Sequence, residues 1–218
     1  MHKNRKIFTR ILLAIVFLSI TALAFLMIFR GVSSNLPASS FQVLDATEGA
    51  DEYAVYSALL KALFVKDDVK LLVIQKQTSY CAPPDCKPLG TVEERIADMK
   101  KNLSPASEET LRDYEFKNTQ PLILNSNFDL PVEYILLDQA ELKKDQDGDR
   151  ADSFYEKNFQ DARGMIILSN VAFNKDRTEA IVLVELLFCP LCSEGDTVLL
   201  EKKSGMWTVK KNFGGWIS

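Results

Sequence analysis

The chain has 218 residues, of which 26 are Lys or Arg and 30 are Asp or Glu, and its formal net charge is −4. All 30 acidic residues but only 21 of the basic ones follow residue 30, so residues 31–218 carry a formal charge of −9. This charge argues against nucleic-acid binding, because such binding requires a basic face. The single histidine is His2, so the rest of the chain excludes catalytic triads with a histidine base and histidine-ligated zinc.

The first predicted element is a transmembrane helix over residues 11–29, which contain no charged side chain. These 19 residues, at about 1.5 Å each, span roughly 28 Å, close to the hydrocarbon thickness of a bilayer. Residues 1–10 hold four basic side chains, whereas Arg30 alone follows the stretch closely. The positive-inside rule therefore predicts a single-pass protein with a cytoplasmic N-terminus, lipid contact through residues 11–29, and an extracytoplasmic C-terminal domain.

The competing interpretation of this stretch is a cleaved signal peptide. Ala22-Leu23-Ala24 has the small-x-small spacing that signal peptidase prefers. Cleavage there would leave the apolar residues 25–29 at the new N-terminus, which favours an uncleaved anchor. Both interpretations export the domain.

Residues 30–40 are predicted to form a linker, and residues 41–218 a single exported domain. Asp51 and Ser107 are each predicted to cap a helix, while Thr91 and Glu94 match a capping box. The order of elements predicts an α+β domain, with helices packed on one face of a mainly antiparallel sheet that ends in a four-strand meander. The predicted helices are residues 51–64, 91–103, 107–117 and 152–159, and the predicted strands are residues 69–77, 132–142, 165–173, 179–188, 197–203 and 207–213.

The C-terminal part resembles a known group of sequences. Residues 166–174, the pattern Gly205-x-Trp207-x-Val209 and the final Trp216-Ile217-Ser218 look like uncharacterised exported bacterial proteins of no assigned activity. The same ending is more loosely similar to the curved-sheet meander of cystatin-like and nuclear-transport-factor-like folds. That fold hosts both enzymes and binding modules, so the resemblance implies an architecture rather than an activity.

The four cysteines occur as Cys81-x4-Cys86 and Cys189-x2-Cys192. In an oxidising compartment disulfides are the default state of such residues. Two local disulfides are the leading prediction, and cross-pairing between the two loops is the alternative. A four-thiolate zinc site is disfavoured because only the second pair has the usual spacing. A thioredoxin-like redox pair is disfavoured because Cys189 follows a strand rather than opening a helix.

Acidic clusters offer weaker candidates for a site. Residues 145–156 resemble the start of a calcium loop, but Arg150 stands where an EF-hand needs glycine, which favours a solvated turn. The adjacent acids Asp51-Glu52 and Glu93-Glu94 are predicted to be helix-start charges rather than a hydrolytic pair. No catalytic residue, metal or cofactor is predicted.

The leading hypothesis for function is a non-catalytic binding or scaffolding module that acts on an unknown partner at the membrane surface. The alternative is an enzyme or small-ligand binder with a cone-shaped cavity, using carboxylates and Tyr80, Tyr134 or Tyr155 as polar groups. A thiol redox protein is the third hypothesis. Trp207 is predicted to lie in the core, and Trp216 to pack in the core or at a sheet edge rather than line a ligand mouth.

Overall fold

A computed structural model describes residues 42–44, 49–80, 90–138, 162–189 and 192–217, with the side chains of Cys189 and Trp216 excepted. All of these residues lie in the compact unit Phe41–Ser218. The elements within them are three helices, α1 (Ala50–Leu63), α2 (Val92–Asn102) and α3 (Glu108–Lys117), and nine strands, β1 (Gln42–Val43), β2 (Leu71–Gln75), β3 (Leu122–Ile123), β4 (Glu133–Leu137), β5 (Met165–Leu168), β6 (Ala172–Phe173), β7 (Glu179–Cys189), β8 (Cys192–Lys203) and β9 (Met206–Ile217).

The main sheet has the strand order β4-β2-β5-β7-β8-β9, with β6 also paired to β7. Strand β2 runs parallel to both β4 and β5, and the remaining pairs in this sheet are antiparallel. Strands β5, β7, β8 and β9 follow one another as antiparallel neighbours, which is the predicted meander. The predicted α+β class with a mainly antiparallel sheet is confirmed. Strands β1 and β3, which were not predicted, form a separate parallel pair.

Helices cover both faces of the main sheet, so the prediction that they pack on one face is wrong. Helix α1 packs on the face that carries Val182 and Val198, whereas α2 and α3 pack on the face that carries Ile181 and Leu199. The physical reason is visible in β7, where residues 180–184 are uninterrupted apolar residues. Such a run is typical of a strand buried on both sides, whereas alternation indicates burial on one.

The helix starts agree with the sequence in two places and differ in one. Thr91 and Glu94 form the predicted capping box of α2, and Ser107 caps α3 by accepting from the Thr110 amide. The prediction that Asp51 caps α1 is wrong, because Gly49 occupies the cap position and no side chain caps that helix. The Asp51 carboxylate instead pairs with two cationic side chains, Arg177 of the β6–β7 turn and Lys202 of β8.

Several predictions lie outside the described residues. They are the transmembrane helix at 11–29, the linker at 30–40, the stretch resembling a calcium loop at 145–156 and the helix at 152–159. Within the ranges given above, none of the helices is long and apolar enough to cross a bilayer.

Candidate ligand-binding site

The carboxyl ends of β2 and β5 meet at one edge of the main sheet, because these strands are parallel neighbours. Immediately beyond them Ser79 and Ser169 form an isolated bridge, and the Ser79 amide donates to the Leu168 carbonyl at 2.8 Å. Ligands of sheets with parallel strands commonly bind in the crevice outside the carboxyl ends of those strands. A ligand site is therefore expected at this edge of the sheet.

A cavity of about 330 Å³ lies at this edge and is here named the strand-end cavity. It lies between the sheet, which contributes Leu183 of β7, and the α2–α3 pair, which contributes Arg95 of α2 and Tyr114 of α3. Tyr80 and Thr119 also line it, and both are exposed, which places them at its rim. Most of the lining surface is apolar, so the cavity suits a group with substantial apolar area.

Tyr114 contributes a neutral hydroxyl to this cavity. Burial raises the pKa of Tyr114 to about 12, and a hydrogen bond with the Ser169 side chain opposes that rise only in part. At neutral pH the phenol is therefore protonated, and it acts as a hydrogen-bonding group rather than as a base.

The two charged side chains at the cavity neutralise each other. Arg95 donates from Nε at 2.9 Å and from Nη2 at 2.7 Å to Oε2 of Glu115, and from Nη1 to the Gly90 carbonyl at 2.9 Å. The hydrogen bond with Glu115 raises the pKa of Arg95. Both side chains are mostly buried, with exposed fractions of 24% and 18%. The wall therefore presents a closed ion pair and no net charge.

A buried amide network holds α3 to the strand ends beside the cavity. Asn170 accepts from Thr78 Oγ1 at 2.6 Å, and its Nδ2 donates to the carbonyls of Lys117 at 2.7 Å and Gln120 at 2.8 Å. The backbone N–H of Asn170 donates to Oδ1 of Asn118 at 2.8 Å. These bonds satisfy the hydrogen-bonding groups of the Asn170 side chain, so this residue holds the fold together rather than binding a ligand. The one sequence signal for it is the polar Ser169-Asn170 pair inside an otherwise apolar run.

A second cavity, of about 310 Å³, lies on the other side of the end of α3. We name it the helix-end cavity. Phe116, Lys117 and Leu122 line it, and Thr119 lines both cavities. The Phe116 side chain is 81% exposed. Two cavities thus meet at one residue of the chain.

The tyrosines predicted as polar groups have separate positions. Tyr80 lines the strand-end cavity. Tyr134 instead packs against the core, with its ring 5.4 Å from that of Phe128, so it belongs to neither cavity described above. Tyr155 lies outside the described residues. Sequence reasoning missed Tyr114 and Leu183, which look like ordinary helix and strand positions.

The remaining predicted candidates are distributed over the fold. Asp51 and Glu52 pair with Arg177, and Glu94 belongs to the capping box. Trp207 is 7% exposed and lies in the core as predicted. In the part of the chain that the structure describes, no group of three or more His, Cys, Asp or Glu is placed to hold a metal ion.

The cysteines are described only in part. The backbone of Cys192 lies opposite that of Cys189 in the β7–β8 pairing. Cys81 and Cys86 lie outside the described residues, so the pairing of the four cysteines stays a prediction.

No protein-family model, no curated protein and no solved structure matches this chain.

Proposed function

We propose that this chain is a membrane-anchored, extracytoplasmic binding module that holds an uncharged, largely apolar group in the strand-end cavity. The observation that carries the proposal is the cavity itself, at the carboxyl ends of two parallel strands. Its volume of about 330 Å³ falls at the small end of the range for ligand sites, roughly 300–1,000 Å³. The anchor and the location rest on the charge pattern around residues 11–29.

The chemistry of the wall favours an uncharged occupant. Arg95 and Glu115 already neutralise each other, and the Tyr114 hydroxyl is neutral at pH 7. A charged ligand would lose its hydration here without gaining a free counter-charge, and that loss is costly. Tyr80, Tyr114 and Leu183 offer ring and aliphatic surface instead.

The acidic side chains of the described residues also favour binding over hydrolytic catalysis. A hydrolytic site built on carboxylates needs one acid with a raised pKa. Among the described acids, each one whose pKa departs clearly from its ordinary value has it lowered, by hydrogen bonds from cationic side chains or from a helix start. These acids are Asp51, Asp68, Glu94 and Glu108.

Binding is tested with phenol, a small uncharged aromatic probe, added to the full-length chain in lipid nanodiscs. We expect phenol to shift the Leu183 methyl signals saturably, with a dissociation constant on the order of millimolar for so small a ligand. Benzoate, the charged counterpart, is expected to bind at least about tenfold more weakly because its carboxylate would lose hydration.

Two variants locate the effect. Thr119→Trp places a bulky ring at the rim and is expected to remove the response of Leu183. Thr208→Trp makes the same exchange at an exposed threonine of β9 and is expected to leave the response unchanged. A response that survives Thr119→Trp, or no saturable response in the unmodified chain, contradicts the proposal.

A further inference from the structure

The hydroxyl end of Tyr114 lies at the strand-end cavity. The Tyr114 side chain packs, partly buried, against the apolar cluster between the α2–α3 pair and the sheet, which includes Leu111 and Leu199. The Tyr114 hydroxyl forms a hydrogen bond with the side chain of Ser169. Both Tyr114 and Ser169 line the cavity. The core thus holds the ring, while the hydroxyl meets the cavity wall beside Ser169.

The hydrogen bonds of Ser169 fix the direction of its bond with Tyr114. Ser169 Oγ accepts from the Leu183 backbone N–H at 2.9 Å and donates to the Asn170 carbonyl at 3.1 Å. A serine hydroxyl has one hydrogen and two acceptor positions. Since the Asn170 carbonyl can only accept and the Leu183 N–H can only donate, the remaining position of Ser169 accepts from the Tyr114 hydroxyl. This arrangement is the one that satisfies all three contacts.

Tyr114 consequently presents a hydrogen-bond acceptor to the cavity. Its single hydrogen is directed to Ser169, so Tyr114 Oη keeps its lone pairs. Burial raises the pKa of Tyr114 to about 12, so this oxygen is a neutral acceptor at pH 7. An occupant that covers the oxygen without offering it a donor loses free energy, whereas an occupant with an O–H group supplies the missing donor.

Neighbouring polar side chains of the wall direct their hydrogens into the protein. Asn118 Nδ2 donates to the carbonyls of Tyr114 at 3.0 Å and of Asn170 at 3.4 Å. Thr119 Oγ1 donates to the Phe116 carbonyl at 2.9 Å. The three nitrogens of the guanidinium group in the wall are also bonded to protein acceptors. This part of the wall is therefore better supplied with acceptors than with donors.

We infer that the occupant of the strand-end cavity is an uncharged alcohol or phenol whose hydroxyl donates to Tyr114 Oη, which makes Tyr114 the residue that determines specificity. The inference rests on the proposed function, because it concerns the same cavity, and it adds the chemical class of the ligand. Ethers and esters only accept, so they would leave Tyr114 Oη without a donor. An amide would bring a carbonyl for which this part of the wall offers few hydrogens.

The test compares three small aromatic probes on the full-length chain in nanodiscs. Phenol donates and accepts, anisole only accepts, and toluene does neither. Each probe is titrated against the Leu183 methyl signals of the unmodified chain and of Tyr114→Phe. We expect the variant to weaken phenol about fivefold and to leave the affinities of anisole and toluene within about twofold. The variant keeps the ring and its packing, and its response to toluene shows that the cavity is still present.

Tyr56→Phe is the matched control. Tyr56 is fully buried in the core on the other face of the sheet, and its hydroxyl donates to the Ser169 carbonyl at 2.8 Å. The variant therefore removes a tyrosine hydroxyl beside the same serine but outside the strand-end cavity. We expect it to lower the stability of the fold and to leave the order of the three affinities unchanged.

A second measurement needs no variant. The carbon signal of Tyr114 Cζ reports on the hydrogen bonding of its hydroxyl. We expect phenol to shift this signal and toluene, at equal occupancy of the cavity, to leave it near its position in the unliganded chain. Equal shifts with both probes would contradict the inference.

The outcomes with Tyr114→Phe separate this inference from the proposed function. If phenol alone is weakened, the inference is supported. If anisole is weakened as much as phenol, Tyr114 donates rather than accepts and the inference is overturned. If all three probes bind and none is weakened, the cavity selects apolar surface only, so the inference fails and the proposed function stands. If no probe shifts Leu183 of the unmodified chain, both fail.

Discussion

Asp51 joins the first turn of α1 to the β6–β7 turn and to β8. Its carboxylate accepts from Lys202 Nζ of β8 at 2.8 Å and from Arg177 Nε at 2.9 Å. Arg177 also stacks on Phe173, with its guanidinium carbon 4.0 Å from the ring centroid. One acidic side chain thus ties together a helix start, a turn with a positive φ of 52° at Arg177, and a sheet strand.

This contact makes stability depend on acidity. The hydrogen bond from Lys202 is the largest cause that lowers the pKa of Asp51 from its ordinary value of 3.8. Because the folded pKa is depressed, the contribution of Asp51 is fully present above about pH 4 and is lost as the pH falls through the folded value.

We therefore expect Asp51→Asn to reduce the free energy of unfolding at pH 7 by on the order of 1 kcal/mol, since the side chain is partly solvated. The difference from the unmodified chain is expected to shrink as the pH is lowered below about 4. Urea unfolding at several pH values measures it. Asp98→Asn, on the exposed face of α2, is the control and is expected to show little difference. If the loss of unfolding free energy is the same at pH 7 and at pH 3, the charge of Asp51 does not contribute to stability and this prediction is contradicted.

At the scale of elements, the β7–β8 hairpin places its two cysteines opposite each other. Cys189 and Cys192 are register partners at its closed end. Opposed residues of antiparallel strands have Cα atoms about 4.5–5.5 Å apart, within the range of about 4.4–6.8 Å that a disulfide requires. The backbone is thus compatible with a local pair.

The same register disfavours a bond from Cys81 to this hairpin. Ser79 bridges to Ser169, whose amide donates to the Leu183 carbonyl. Leu183 lies six residues before Cys189 on β7, a separation of roughly 20 Å at about 3.3 Å per residue. Two residues of chain beyond Ser79 span at most about 7 Å, which is less than that separation.

We therefore propose the pairs Cys189–Cys192 and Cys81–Cys86. After alkylation without reduction, the tryptic peptide Thr178–Lys202 is expected to be unmodified and two hydrogens lighter than its reduced form. Recovery of this peptide linked to the peptide that holds Cys81 and Cys86 would establish cross-pairing instead. Alkylation of both of its cysteines would show that Cys189 and Cys192 form no disulfide.

At this scale, the sequence could predict an interaction only where the two residues lie close together along the chain. The caps at Thr91 and Ser107 involve residues three positions apart, so a local pattern revealed them. Asp51 followed the same local rule and the prediction failed, because its partners lie 126 and 151 positions away. Likewise, Tyr80 could be named as a candidate, but its neighbours in the cavity come from distant strands and helices.

At the scale of the whole molecule, the topology creates the site. A crossover through α2 and α3 returns the chain to β4 beside β2, which leaves the carboxyl ends of β2 and β5 adjacent and covered on one side by helices. The cavity lies between Leu183 of β7 and the C-terminal end of α3. Its position follows from the parallel part of the sheet, which the predicted meander did not include.

The central claim is that an uncharged apolar group binds inside the strand-end cavity. The most direct test is an intermolecular nuclear Overhauser measurement between phenol and the leucine methyl groups of the full-length chain. The account predicts cross-peaks from phenol to Leu183 and none to Leu124, which is fully buried in the core on the other face of the sheet. Cross-peaks to Leu124, or none to Leu183 at saturating phenol, would contradict it.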